Sequence, residues 1–383
     1  MKKIILSFLL CTFATVVNAQ MSDIQIQSYL NQLNSDSIQN HISQLENFGT
    51  RWAKDTNRKE IANYITKKFE SYNLRVKIDS FYMYWDNPKT WQYNIIGILD
   101  GTNDTNSIYM IGAHYDAINP SDPSKAPGAD DNASGIAAMF DIARVMKNNN
   151  YHPTNSIYFV GFAAEEQGVK GSGHLAGVIC PTKPIYYLLV NDMISNNQEP
   201  DNSWKVKLHT YDNSNDVSNQ AIAITNTFTS LTDTIIPDNC QCTDSSPFFD
   251  WGTKTIFIHE YNFSPFYHSE NDLVANTDKN YCKEVCKISF ALLLKSTSLS
   301  SGISDNNMID VKIFPNPVKD FIHIISNNEI KSIKLYNTIG IKLFENEFRS
   351  KEAKINTSNL TSGIYIITVN NSFTKKIVIE LQE

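Results

Sequence analysis

An α/β layered sheet followed by a small all-β module is the fold class this sequence predicts, and three observations carry it. Short runs rich in Ile, Val and Tyr (Ser107–Gly112, Asn155–Ala163, Ile185–Asn191) alternate with stretches whose apolar residues recur at helical spacing. Each of these runs ends next to an imidazole or a carboxylate. Past the Ser/Asp/Asn-rich stretch Ser296–Asn307, short strands separated by turn residues take over, the pattern of a small β-sandwich.

The elements follow in order. Met1–Ala19 carries two lysines, an apolar run and a Val-Asn-Ala end, as a secretory signal peptide does. Its apolar run is short for a membrane anchor, and no later segment is long and apolar enough to span a bilayer. Ile38, His41, Ile42 and Leu45 mark one helix and Ile61, Tyr64, Ile65 and Phe69 a second, with a turn at Asn47–Arg51. Lys77–Trp85 and Tyr93–Leu99 read as strands, the latter closed by Asp100-Gly101 in a hairpin-like turn. Helices are expected over Ser134–Asn148, Gly171–Ile179, Ser218–Thr229 and Asp278–Leu294, and further strands at Lys205–Tyr211 and Thr255–Glu260. In the tail, strands are expected at Val311–Phe314, Phe321–Ile325, Ile330–Tyr336, Ile341–Glu345, Gly363–Val369 and Thr374–Ile379. The domain plan is a signal peptide (1–19), a first domain (20–298), a linker (299–309) and the β-domain (310–383).

With 33 basic against 40 acidic residues and no basic block, nucleic acid is excluded as a partner. Cys11 leaves with the signal peptide, so Cys180, Cys240, Cys242, Cys282 and Cys286 remain, an odd number. Export permits disulfides, but neither Cys240/Cys242 nor Cys282/Cys286 is fixed as a pair, and the spacing is not that of a compact zinc site.

The chemistry gathers at strand ends. His114 closes one strand, Glu165 and Glu166 follow the next, and Asp192 ends a third, which is where sites collect in open α/β sheets. Asp130-Asp131 open a helix, and His268 lies in a loop after the last strand. Two imidazoles and several carboxylates suit zinc. Five converging groups exceed what one zinc needs, so an aspartate shared between two ions would account for the surplus. Neighbouring Glu165 and Glu166 point in different directions, so one can hold metal while the other serves as general base. Asp116 is placed to accept from the ring nitrogen of His114 that faces away from metal.

The segments GAHYD, PGADDNASG, AAEEQGVKGS, VNDM and YHSEND, in this order, resemble the co-catalytic zinc aminopeptidase family, which includes bacterial leucyl-type aminopeptidases and, more distantly, glutamate carboxypeptidase and glutaminyl cyclase. The resemblance spans roughly Ile24–Ser300. It implies a three-layer α/β/α zinc-exopeptidase-like sandwich with a mixed, mostly parallel sheet, and two zinc ions. His114 and Asp192 would hold one ion, Glu166 and His268 the other, and Asp131 would bridge them. Glu165 would be the general base acting on a water between the ions, and Tyr267 a donor to the oxyanion. A cis peptide is expected at Asp131–Asn132, and the substrate is expected to be a peptide with a free N-terminus and an apolar first residue. Some family members place a tyrosine between two bonded cysteines. Here Cys240-Gln-Cys242 is shorter and lacks it, which argues against that disulfide. KIFPNPVKDFIHI, IKLYNTIG and LTSGIYIITV resemble the C-terminal sorting domain of type IX secretion cargo. That implies contact with the secretion machinery and a secreted or surface-held protein of a Gram-negative bacterium, exported through the periplasm.

Blander readings stand beside these. His174 and His209, off the motif positions, read as surface groups, and Asp130 as a helix cap or turn residue. His259-Glu260, at a strand end, is a decoy for the site, Tyr267 serves equally as packing, and the β-tail alternatively binds carbohydrate or acts as a spacer. Rival functions are a carboxypeptidase or dipeptidase, which needs a cation for the substrate carboxylate although no arginine lies in the motifs, a one-zinc glutaminyl cyclase, and a binding module on a dead peptidase fold.

Overall fold

Strand β3 (Asp104–His114) shows how the pattern becomes architecture. Ile108 and Met110 face one hydrophobic core while Ile111 and Ala113 face another, so the strand is buried on both sides. Each such isoleucine or methionine side chain contributes about 1.5–3 kcal/mol by leaving water. The computed structural model describes residues 21–84, 87–200, 203–298, 311–337, 342–370 and 373–380. The expected signal peptide and linker lie outside the described residues. Contacts divide the chain into two compact units, Met1–Ser300 and Ser301–Glu383.

In the first unit, α1 (Asp23–Leu30), α2 (Ser35–Glu46) and α3 (Arg58–Ser71) precede a hairpin of β1 (Arg75–Met83) and β2 (Thr90–Leu99). After β3 come α4 (Ser134–Asn148), β4 (Asn155–Phe162), α5 (Lys170–Ile179), β5 (Ile185–Asn191), β6 (Lys205–Thr210) and α6 (Asn215–Phe228). The unit ends with β7 (Thr232–Ile236), α7 (Ser245–Asp250), β8 (Thr255–Glu260) and α8 (Lys279–Thr297). The eight strands form one mixed sheet in the order β1-β2-β4-β3-β5-β8-β6-β7, parallel through its centre. Core residues of α2, α3, α4 and α8 cover one face and those of α5 and α7 the other, which makes three layers. Helix α2 buries the expected Ile38, His41, Ile42 and Leu45, and the Asn34 side chain caps it by accepting from the Asp36 and Ser37 N–H groups. Asp278 caps α8 in the same way.

One expected connection is different. Asp100-Gly101 does not close a hairpin, because β4 inserts between β2 and β3. Strand β4 is apolar on both faces and gains two partners there, whereas a β2–β3 hairpin would leave it at an edge. Elements not expected from the sequence are α1, β7 and α7, all short or weakly patterned. No helix among the described residues is long and apolar enough to cross a membrane.

The second unit holds β9 (Val311–Phe314), β10 (Phe321–Asn337), β11 (Lys342–Asn356), β12 (Gly363–Val369) and β13 (Phe373–Ile379), all antiparallel. Its own core contains Ile322, Ile324, Leu335, Ile355, Ile367 and Ile377. The two strands expected over Phe321–Ile325 and Ile330–Tyr336 are the halves of β10, joined through a register shift between Ile325 and Ile330.

Candidate metal centre and catalytic residues

The carboxyl ends of β3, β4 and β5 lie side by side and deliver His114, the Glu165-Glu166 pair and Asp192 to one edge of the sheet. Asp131 arrives from the other direction, in a distorted turn over Ala129–Ala133 that leads into α4. The Asp131–Asn132 peptide is cis. That turn needs Gly128, whose φ of +56° favours glycine and whose added Cβ would sit 2.3 Å from the Asp131 carbonyl oxygen. Asn132 ties the turn to the end of β5, donating to the Asn191 carbonyl at 2.9 Å and accepting from the Gly135 N–H at 3.0 Å.

The five expected ligands meet. His114 Nε2 is 3.2 Å from both Asp131 Oδ1 and Asp192 Oδ1. His268 Nε2 is 3.3 Å from Asp131 Oδ2 and 2.9 Å from Glu166 Oε2. Asp131 therefore offers one oxygen to each of two clusters, His114–Asp131–Asp192 and Asp131–Glu166–His268, each with ligand atoms within 4.8 Å of one another. Glu166 Oε1 is buried without a hydrogen-bond partner among the described residues, and His268 Nε2 faces only the carboxylates of Asp131 and Glu166. Buried polar atoms ordinarily find partners, so nitrogen and oxygen donors left open in an acidic cluster fit a divalent cation such as zinc. Ala164, Met193 and His268, each beside or among these groups, have φ of +55°, +52° and +54°, a region ordinary residues avoid.

Surrounding contacts hold the groups in place. His114 Nδ1 donates to the backbone carbonyl of Asp116 at 3.0 Å, while the Asp116 carboxylate stands 3.7 Å off. The expected carboxylate–imidazole bond is thus made by the main chain. The Asp116 carboxylate instead accepts from the Glu165 and Glu166 N–H groups at 3.0 and 3.3 Å, fixing the turn that aims both glutamates. Asp272 accepts from the Asp130 and Asp131 N–H groups at 2.8 and 3.0 Å, so the loop bearing His268 also clamps the turn bearing Asp131. Thr243 donates to Asp192 Oδ2 at 2.7 Å.

The electrostatics follow from burial and crowding. Burial opposes charge on His114, yet Asp192 and Asp131 outweigh it and raise its pKa well above the ordinary value. What holds a proton there would hold a cation. Burial raises Glu165 well above the usual carboxylate range, reinforced by Asp244, Asp192 and Glu166. Burial and Asp131 push Glu166 up to about 8. Burial disfavours the charged form of Asp131, but His114 and His268 bring its pKa below the usual range.

A cavity of about 320 Å³ opens beside the two clusters, walled by Met193, Phe257, His259, Phe263 and Tyr267, with Glu165 on its lining. The Tyr267 ring stacks on His268 with centroids 3.5 Å apart. His209 is no surface group: its ring stacks on Phe257, it pairs with Asp238 at 3.0 Å, and it lines the cavity. His174 stacks on Phe81 and meets Asp79 at 2.9 Å, away from the site. His259 lines the cavity and donates from Nδ1 to the Asp192 carbonyl, whereas Glu260 is buried behind it and accepts from Asn196 and Ser264. Asp130 lies in the Ala129–Ala133 turn, as the turn reading has it, and accepts from the N–H and hydroxyl of Ser195, both at 2.8 Å. Cys240 and Cys242 are joined, against the expectation, their Cα atoms being 5.3 Å apart and so within disulfide reach. Cys180, Cys282 and Cys286 are free.

Sequence reasoning passed over Arg51, Thr243, Asp244 and the role of Asp272. The Arg51 side chain is 1 % exposed and donates to the carbonyls of Tyr115, Pro127 and Gly128. Burial raises Asp244, beside Glu165, to about 7. For Asp272 the signal was in hand, since it stands in the YHSEND segment.

This chain is similar to known proteins in two regions. A probable zinc metalloprotease of Pyrenophora tritici-repentis is 32% identical over 202 residues, 47% of this chain and 46% of that protein, so the chain matches about half the length of that relative. A probable leucine aminopeptidase of Trichophyton verrucosum is 26% identical over 291 residues, 72% of each chain. Among solved structures, the LapA aminopeptidase of Legionella pneumophila shares the fold with a TM-score of 0.65 at 20% identity, covering 78% of this chain and 81% of that one. Residues 312–380 match the secretion system C-terminal sorting domain. Residues 94–293, which hold His114, Asp131, Glu165, Glu166, Asp192 and His268, match Peptidase family M28, and the chain belongs to that family.

Proposed function

We propose that this protein is an exported aminopeptidase that hydrolyses the N-terminal bond of peptides at a two-zinc site. The observation that carries the reading is the division of Asp131 between two clusters of open donors, one oxygen facing His114 and the other facing His268. His114 and Asp192 would hold one ion, Glu166 and His268 the other, with Asp131 common to both. When bound, the ions supply a Lewis acid for the scissile carbonyl and a water that is nucleophilic at neutral pH. Glu165 takes the proton of the attacking water and returns it to the leaving nitrogen, a role served by a carboxyl whose pKa burial has raised. The Tyr267 hydroxyl donates to the oxygen on which charge develops. Similarity to a probable leucine aminopeptidase over 72% of each chain is what favours an exopeptidase. The sorting domain supports export to the cell surface or medium.

The test pairs leucine-anilide with N-acetyl-leucine-anilide, each with and without chelator. Cleavage of the free-amine substrate alone, abolished by chelation, is the expected result. Equal cleavage of both, or activity that survives chelation, overturns the reading.

A further inference from the structure

The cavity beside the metal cluster is also lined by a cation that the proposed reaction does not use. Strands β6 and β8 pair antiparallel with Lys207 opposite His259 and His209 opposite Phe257. Directly opposed residues share a face of the sheet, so Lys207 stands in the same row as His259, which itself holds the Asp192 carbonyl. Lys207 is the one lysine or arginine among the described residues lining the cavity. Among the described residues it has no carboxylate partner there: its ammonium lies 5.9 Å from the Tyr261 ring, and Asp238 pairs with His209. Around it the wall is aromatic or apolar, with Phe257, Phe263 and Met193.

Lys207 is half-buried, and an ammonium beside an apolar wall attracts an anion with less screening than one in open water. We propose that Lys207 binds a carboxylate of the substrate, so that the site selects substrates that present a negative charge there. That charge is either the side chain of an N-terminal glutamate or aspartate, or the C-terminal carboxylate of a dipeptide. This rests on the aminopeptidase reading and departs from the apolar preference that the family resemblance implies. Lys207 is the cationic group that a carboxylate-selecting peptidase needs, and it lies on a strand outside every recognised motif.

The experiment uses the full chain loaded with zinc, as wild type, Lys207→Met and Lys207→Arg. One arm compares kcat/KM for glutamyl-, aspartyl- and leucyl-anilide. The other compares Leu-Gly with Leu-Gly-amide. In the arm that carries the true carboxylate, the ratio of acidic to neutral substrate falls on the order of 10- to 100-fold in Lys207→Met, the scale of a lost charged hydrogen bond, and returns in Lys207→Arg. A ratio unmoved in both arms overturns the proposal. Should no free-amine substrate be cleaved, the aminopeptidase reading fails by itself. Calorimetric binding of L-glutamate and L-leucine then decides: weaker binding of glutamate relative to leucine in Lys207→Met upholds the carboxylate site, and an unchanged ratio refutes it.

Discussion

Arg51 Nη2 donates to the carbonyl of Gly128 at 2.6 Å, across 77 residues of sequence. The same guanidinium holds the Tyr115 carbonyl at 2.8 Å, one residue after His114. One buried side chain thus joins the strand end bearing His114 to the turn bearing Asp131. Burial draws Arg51 down to about 10, with Asp272, Asp131 and Asp116 opposing, so it remains charged at neutral pH.

Arg51→Met leaves three carbonyls without donors, and Arg51→Lys cannot reproduce the forked geometry. Both variants are expected to lose on the order of 3–5 kcal/mol, which lowers the melting temperature by about 10 °C for a unit of this size. Thermal unfolding followed by circular dichroism measures it. A shift of under about 2 °C would show that the guanidinium is not holding these loops.

Glu165→Gln and Glu166→Gln separate the two neighbouring glutamates. The first keeps metal and loses turnover by at least about 100-fold, the scale of a general base. The second loses metal from the site shared with His268. Metal analysis beside initial rates reads both, and equal metal loss in the two variants would mean that the roles are reversed.

Thr243→Val removes the hydroxyl that orients Asp192. Zinc affinity is expected to fall about 10-fold, as when other groups that orient a ligand are removed, with little effect on stability. Titration against a chelator of known affinity checks this, and unchanged affinity would free Asp192 from dependence on Thr243.

His41 sets a pH dependence far from the metal cluster. Its ring packs on Phe140, and burial, aided by Lys68, lowers its pKa from the usual value to about 4. Below pH ~6.5 the unfolded chain takes a proton that folded His41 refuses. Its contribution is therefore complete above that pH, declines as pH falls toward about 4, and is flat below. The loss is on the order of 3 kcal/mol. Urea unfolding from pH 4 to 7 should show a shallower decline in His41→Leu than in wild type, and parallel curves would refute it.

Groups carried by local pattern were legible in the sequence. His114, the Asp130-Asp131 pair, Glu165, Glu166, Asp192 and His268 sit at strand ends or in short polar segments, so position nominates them before any fold is known, while the choice of Asp131 within its pair is what the family resemblance implies. The continuous apolar runs of β3, β4 and β5 likewise give the centre of the sheet. What was not legible depends on pairing between distant segments. Arg51 looks like any turn arginine until the 115–128 loop folds over it, and Thr243 acquires a role only when Asp192 lies beside it. His209 reads as a surface group and Lys207 goes unremarked, because their opposition to Phe257 and His259 is a matter of strand register. The misplaced Asp100-Gly101 hairpin failed for the same reason, since insertion of β4 is decided by the whole sheet.

Zinc stoichiometry tests the central claim most directly. The purified full chain, stripped and titrated with zinc, should bind two ions per chain, and Asp131→Asn should weaken both, because His114 and His268 share that one carboxylate. A single ion in the wild-type protein, or an Asp131→Asn variant that weakens only one of two, would contradict the shared-aspartate site.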